Sequence, residues 1–353
     1  MTASAQSRRA ATGTLLGLAL GDALGYPTEF DGVPAILAAC GPWRGMELPA
    51  RALVSDDTQM ALAVARALTT ARAGEHLGPE GLVRPLREEF IAWYRSPENN
   101  RAPGGTCLAA CALLTVEDRP WQEASRIDSK GCGANMRVAP VALVPGLDDQ
   151  QRAGAAQLQS ALTHGHPTAL AASDLTAHAV RLLADGVAPA ELVPRLRTYA
   201  HDNRTRYHQD WLGDLWTRAQ DSTAEHFAAR GWDECLAILH RLETAVRTVS
   251  PEDDPCAVTG AGWIAEEALA TGLLCFLLFP DEPVLALRRA ACSSGDSDSI
   301  ACLTGAFAGA HLGADAWPGA WVERIEHRDE LLALAAPWNP RPPVPAPAAP
   351  RNP

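Results

Sequence analysis

Two short runs hold the side chains best suited to chemistry: Ser55-Asp56-Asp57-Thr58 and, far along the chain, Gly295-Asp296-Ser297-Asp298-Ser299. Each joins two carboxylates to hydroxyls, an oxygen-only donor set that suits hard divalent cations and disfavours zinc or copper. The four Asp carry four negative charges, which two divalent ions would match. Paired ions can orient a substrate and the water that attacks it. Helix capping is the plainer account of either run alone, because both precede apolar helical patterns and an acid there accepts the orphan N–H groups of a first turn. An EF-hand does not explain the second run: the loop glycine is missing, and Phe307 stands where a chelating acid is needed. A phosphatase-type Asp nucleophile would follow an apolar strand, and Cys292-Ser293-Ser294 is not one. Spacing alone does not bring the two runs together.

A third run, Gly131-Cys132-Gly133-Ala134-Asn135-Met136-Arg137, suits an anion. Its glycines admit close backbone approach, and a helix expected over 133–144 would offer N-terminal N–H groups to a phosphate. A plain turn is the alternative. His164, within Thr163-His164-Gly165-His166-Pro167, either faces such a ligand or caps the helix that begins after Pro167. Zinc is not expected there, since no further His or Cys lies at helical spacing. Lys plus Arg number 30 against 42 for Asp plus Glu, a net charge of −12, so no basic surface awaits nucleic acid or an anionic membrane. A phosphate-bearing ligand must therefore be held by backbone N–H groups or by metal ions.

The elements that would position these runs are helical. Ala and Leu dominate the 353 residues, and period-2 alternation of β-branched residues is nearly absent, so the fold class is all-α. Helical patterns cover 10–25, 57–72, 80–95, 105–116, 133–144, 150–162, 167–185, 189–200, 232–249, 257–278, 282–292, 297–312 and 328–335. Glycines at 13, 17, 21 and 25, and again at 305, 309 and 313, fall on single helical stripes. Each interior Gly costs about 0.8–1 kcal/mol against Ala, so the stripes predict two helices in very close contact, one of them carrying Asp296 and Asp298 at its start. Ser7-Arg8-Arg9 before an apolar run looks like an export signal, but the run meets Asp22 almost at once. No run reaches the roughly 18 apolar residues of a membrane span. Nine cysteines without a CxxC pair read as free, mostly buried thiols of a cytoplasmic protein.

Residues 201–232, with Tyr207, Trp211, Trp216, Phe227 and Trp232 among charges, read either as a lid at the rim of a site or as a peripheral amphipathic helix. The expected organisation is a flexible N-terminus over 1–9, one all-α domain over 10–336, and a disordered or polyproline tail over 337–353, which holds eight prolines. A monomer is expected.

In order along the chain, Gly17-Leu18-Ala19-Leu20-Gly21-Asp22-Ala23-Leu24-Gly25 with Glu29, then Ser55–Thr58, Gly131–Arg137, Thr163-His164 and Gly295–Ser299 resemble the ADP-ribosylglycohydrolase family, that of the dinitrogenase reductase activating glycohydrolase. The resemblance covers about residues 15–313 and implies an orthogonal multi-helix bundle with a binuclear Mg²⁺ or Mn²⁺ centre in a central cleft. Ser55, Asp56 and Asp57 would bind metal from one side, and Asp296, Asp298 and Ser299 from the other. Relatives usually carry Thr at the Ser299 position and often Asn at that of Cys132. Glu29 matches an acidic residue beside the metals, its alternative being a surface carboxylate in a loop, and joins Asp56 and Asp296 as a catalytic candidate. Gly104, Thr106, Ser129, Gly131, Gly133, Met136 and His164 would hold the ligand.

The implied activity is hydrolysis of the bond between the ADP-ribose anomeric carbon and an acceptor, a modified protein side chain. A binding protein without turnover and a hydrolase of a small derivative such as O-acetyl-ADP-ribose are the alternatives. The acidic surface disfavours a nucleic-acid acceptor.

Overall fold

A computed structural model describes residues 9–74 and 77–339; the expected flexible stretch over 1–8 and the tail over 340–353 lie outside the described residues. The helices run α1 (Ala10–Gly25), α2 (Val33–Cys40), α3 (Asp56–Ala73), α4 (Pro79–Arg95), α5 (Gly105–Leu114), α6 (Trp121–Ala124), α7 (Ala139–Leu143), α8 (Asp149–Ala161) and α9 (Pro167–Ala184). They continue as α10 (Pro189–Asn203), α11 (Gln209–Leu212), α12 (Ala224–Thr248), α13 (Cys256–Thr259), α14 (Ala265–Leu278), α15 (Pro283–Ala291), α16 (Ser297–Leu312), α17 (Gly319–Val322) and α18 (Arg328–Ala335). Among the described residues the only β pairing is three isolated bridges, so the all-α expectation holds.

The centre of the bundle is the pair α1 and α16. Every residue of α1 from Ala11 to Gly25 is buried, as is α16 from Ser297 to Ala310. The two lie antiparallel, with Gly13 opposite Gly309, Gly17 opposite Gly305, Gly21 opposite Ala301 and Gly25 opposite Ser297. A Cβ added to any of these four α1 glycines would overlap backbone atoms of the α16 segment, so the stripes serve direct backbone contact. Helices α9, α14 and α15 pack around this pair. The first of them, small and apolar on nearly every side, is buried along most of its length, as its sequence requires.

Several boundaries differ from expectation, each for a local reason. The helix expected over 133–144 is broken into a 3₁₀ turn at Cys132–Ala134 and the short α7, which starts with Pro140 in its first turn. That expected over 257–278 divides into α13 and α14 at Gly260 and Gly262, both at positive φ. His166, not His164, caps α9, accepting from the Thr168 N–H at 3.2 Å. Residues 337–339, assigned by composition to the tail, belong to the packed chain. Trp338 is buried, and the Asn339 side chain accepts from the N–H groups of Ala11 (3.1 Å) and Thr12 (3.4 Å), capping an α1 whose own N-cap residue offers no side-chain bond.

Candidate active site and metal centre

The glycine contact decides where the acids go. Asp22 lies one turn before the end of α1, and the antiparallel register puts the start of α16, with Asp298, at that same end. Fully buried, the Asp22 carboxylate accepts from the Ser55 N–H through both oxygens (2.9 and 3.1 Å), from the Thr58 N–H (3.0 Å) and from the Thr58 hydroxyl. The first turn of α3 thus hangs on α1, and the two acidic runs meet across Asp22. Ser55 is the α3 N-cap, its hydroxyl accepting from the Asp57 N–H at 3.3 Å.

Glu29 follows a 3₁₀ turn (Tyr26–Thr28) that is tied to α16, the Thr28 hydroxyl lying 3.0 Å from that of Ser297. One carboxylate oxygen each of Glu29, Asp296 and Asp298 lie within 4.8 Å of one another. Asp56, Asp57 and Ser299 line the same cleft, a cavity of about 330 Å³. Asp56 is held by the Gly104 N–H at 3.3 Å, and the Ser299 N–H donates to Asp298 at 2.9 Å. The site therefore gathers Asp22, Glu29, Asp56, Asp57, Asp296 and Asp298, and among the described residues no Lys or Arg forms an ion pair with any of them.

So many carboxylates in one buried place resist ionisation. Burial and then the charge of Asp298 raise Asp22 from 3.8 to about 7. Burial, followed by Asp298, Asp56 and Asp22, raises Glu29 from 4.5 to about 9. Asp56, Asp57 and Asp296 are pushed well above the usual range by burial and by Asp298, and Asp298 itself is raised by burial. Glu29 Oε2 and Asp57 Oδ2 are buried without a hydrogen-bond partner. Orphaned hard oxygens, hydroxyls at both helix starts and uncompensated negative charge together fit divalent cations of the Mg²⁺ or Mn²⁺ type.

Beside the acids lies the cradle of Gly131 and Gly133. It is pinned by an isolated bridge between Gly131 and Ile264 and by the Cys132 N–H donating to the Trp263 carbonyl at 3.1 Å. The expected helix is broken, and the helix start that lines the cleft is instead that of α5, with Gly104, Gly105 and Thr106; the polar side chain beside the two glycines is His164. A Cβ on Gly131 would lie 3.3 Å from His164 Nε2, and one on Gly133 would lie 2.8 Å from Cys107 Sγ and 3.0 Å from the His164 ring, so the second position leaves no room for a side chain. Thr163 Oγ1 accepts from Arg137 Nη2 at 2.7 Å and lies 2.9 Å from His164 Nδ1. The same hydroxyl has the Ser160 carbonyl at 3.4 Å, and it holds the imidazole with Nε2 turned to the cradle side. Burial and the Arg137 charge depress His164 to about 3, so the ring is neutral.

Arg137 is itself fully buried. It donates to the Gln159 side chain (2.9 Å) and carbonyl (2.7 Å) and to the Gly133 carbonyl (3.0 Å), and its guanidinium stacks over Phe90 at 4.4 Å. Among the described residues no carboxylate pairs with it, so a bare cation underlies the cradle. Backbone approach, a neutral imidazole and this buried charge suit a phosphate.

Of the residues singled out in the sequence, Glu29, Asp56, Asp57, Gly104, Thr106, Gly131, Gly133, Met136, His164, Asp296, Asp298 and Ser299 line the cleft. Ser55 lies just behind it, and Ser129 supports its wall, with its hydroxyl 3.0 Å from that of Thr106. None of residues 201–232 lines it, so the lid reading of that stretch falls; Phe227 and Trp232 are instead buried on α12. Sequence reasoning missed the positioning residues Asp22 and Arg137, although both sit inside quoted motifs. It also missed Phe30 and Trp263, which stack at 5.4 Å and 15° at the cleft mouth and carry no sequence signal.

A family model described as ADP-ribosylglycohydrolase matches residues 2–342. The chain is 25% identical to ADP-ribosylhydrolase ARH3 of Mus musculus, over 92% of this chain and 89% of that protein. It is also 25% identical to the ADP-ribosyl-[dinitrogen reductase] glycohydrolase of Rhodospirillum rubrum, over 92% and 96%. A solved structure titled ADP-ribosylglycohydrolase-related protein complex superposes with a TM-score of 0.63 at 22% identity, covering 95% of this chain and 98% of that one, which is a likeness of fold.

Proposed function

The chain belongs to the ADP-ribosylglycohydrolase family, and from that premise we propose that it releases ADP-ribose from a modified protein side chain by metal-dependent hydrolysis at the ribose anomeric carbon. The observation that carries this reading is the meeting of six carboxylates, unpaired with any base among the described residues, beside a glycine cradle backed by His164 and Arg137. Two divalent cations, Mg²⁺ or Mn²⁺, held by Ser55, Asp56, Asp57, Asp296, Asp298 and Ser299, would offset the carboxylate charge, polarise the ribose hydroxyls and acidify a water.

The chain's own groups do the rest. Gly131, Gly133 and the His164 imidazole receive the diphosphate, with Arg137 balancing part of its charge from beneath. The bond from the anomeric carbon to the acceptor breaks with its electron pair going to the acceptor, and positive charge spreads over the ring. With bound cations offsetting the carboxylate charge, Glu29 would be ionised beside the reacting carbon and would take a proton from the attacking water. The water oxygen bonds to that carbon, and the proton then passes to the departing acceptor. Asp22 keeps the first turn of α3, and so Asp56 and Asp57, in register with α16.

Incubation of the protein with ADP-ribosylated proteins and Mg²⁺ or Mn²⁺, read by mass spectrometry, tests the reading. Free ADP-ribose is expected, with loss of about a hundredfold or more on chelation or in Asp56→Ala and Asp296→Ala. Undiminished turnover by either folded variant would remove the two-metal assignment. Binding of ADP-ribose without release would point instead to a non-hydrolytic binding protein.

A further inference from the structure

We propose that the acceptor docks in a second groove, on the far side of Glu29 from the phosphate cradle, and that this groove favours acceptors in acidic protein segments over those in basic ones. The proposal rests on the hydrolase reading above. A cavity of about 400 Å³ adjoins the carboxylate cleft and shares three lining residues with it, Glu29, Phe30 and Ala102. These three form the partition between the two spaces. Phe30 (φ 70°) and Ala102 (φ 51°) are both held in the left-handed region that side-chain-bearing residues avoid, a conformation that persists only where its surroundings impose it.

The position of the groove follows from the chemistry of the bond to be cut. The diphosphate end of the ligand belongs at Gly131 and His164, and the anomeric carbon belongs at the acids. Whatever is attached to that carbon must continue past Glu29, and the groove that begins there is walled by Tyr26, Pro27, Pro49 and Leu53. Its one cationic lining residue is Arg51, which is exposed and has no hydrogen bond or ion pair from its side chain among the described residues. The neighbouring Arg101 is committed to Glu326. Glu29, the only acid in the lining, is drawn into the cluster with Asp296 and Asp298. Acidic residues flanking the acceptor would thus pair with this unpaired cation, and basic ones would be repelled by it. The overall charge of −12 does not decide this contact, because salt limits such interactions to about 8 Å.

The test compares two peptides with the same ADP-ribosyl serine linkage, one flanked by Asp and Glu and the other by Lys and Arg, assayed for release by the full-length protein with Mn²⁺. The wild type is expected to favour the acidic peptide in kcat/KM by about tenfold at low salt, less at high salt, and Arg51→Glu to reverse that preference. An equal preference in the wild type and Arg51→Glu, or a wild-type preference for the basic peptide, overturns the groove assignment. The pair is repeated with an arginine linkage, and release from none of the four peptides by the wild type overturns the hydrolase reading instead.

Discussion

Asp22 shows how one side chain can serve a site without facing the ligand. Its carboxylate takes the backbone N–H groups of Ser55 and Thr58, which an amide in its place would meet with its own N–H donors. Asp22→Asn is therefore expected to leave the protein folded and to weaken Mn²⁺ binding by about 10- to 100-fold, the range seen when groups behind metal ligands are altered. Calorimetric titration with Mn²⁺ reads this directly; unchanged affinity would show that α3 is positioned by other contacts. His164 depends on its neighbours in the same way. Its neutral state comes from burial and Arg137, and its orientation from Thr163.

At the scale of elements, the contact between α1 and α16 brings the acidic runs together, so damage to the helix pair should appear at the site. A Cβ on Gly21 would overlap the Ala301 carbonyl in a fully buried contact, whereas a Cβ on Gly45 meets nothing within 4 Å. Gly21→Ala is expected to cost about 3 kcal/mol or more, and Gly45→Ala to stay within about 0.5 kcal/mol. Denaturant unfolding of the two variants measures the difference, and a mild Gly21→Ala would mean that the helices can separate without loss. The broken helix after Cys132 carries a related lesson. A glycine-rich run followed by apolar residues reads as a loop and a helix. Here it packs as a bridge to Trp263–Ala265 followed by a 3₁₀ turn, which leaves Gly131 and Gly133 beside His164 and not at the head of a helix of their own.

For the molecule as a whole, the clustered acids make stability depend on pH and on cations. Each of these carboxyls titrates higher in the folded chain than in the unfolded one, so between its two values the folded state keeps a proton that the unfolded state has released. Without divalent ions, stability is full below the ordinary carboxylate range and falls as the pH rises through about 7 for Asp22 and about 9 for Glu29. Bound cations oppose that loss, and at a hundred times the dissociation constant each adds about 2.7 kcal/mol. Thermal melts at about pH 5, 7 and 9, with chelator or with Mn²⁺, should therefore diverge as the pH rises. Parallel curves would mean that the acids are not compensated by metal. No helix among the described residues is long and apolar enough to cross a membrane, consistent with an α1 enclosed by the rest of the bundle.

Much of this was legible in the residues themselves. The helical class follows from Ala and Leu without strand alternation, the donor chemistry from oxygen-only runs at helix starts, and the close helix pair from glycines at spacing four. These are local patterns, governed by the 3.6-residue turn and by what each side chain can donate or accept. The meeting of the acidic runs, the capping of α1 by Asn339, the Arg137–Thr163–His164 relay and the partition at Phe30 and Ala102 were decided only by tertiary structure. They join residues distant in the chain, and which distant residues meet is set by how helices pack, a property of the whole bundle that no local pattern records.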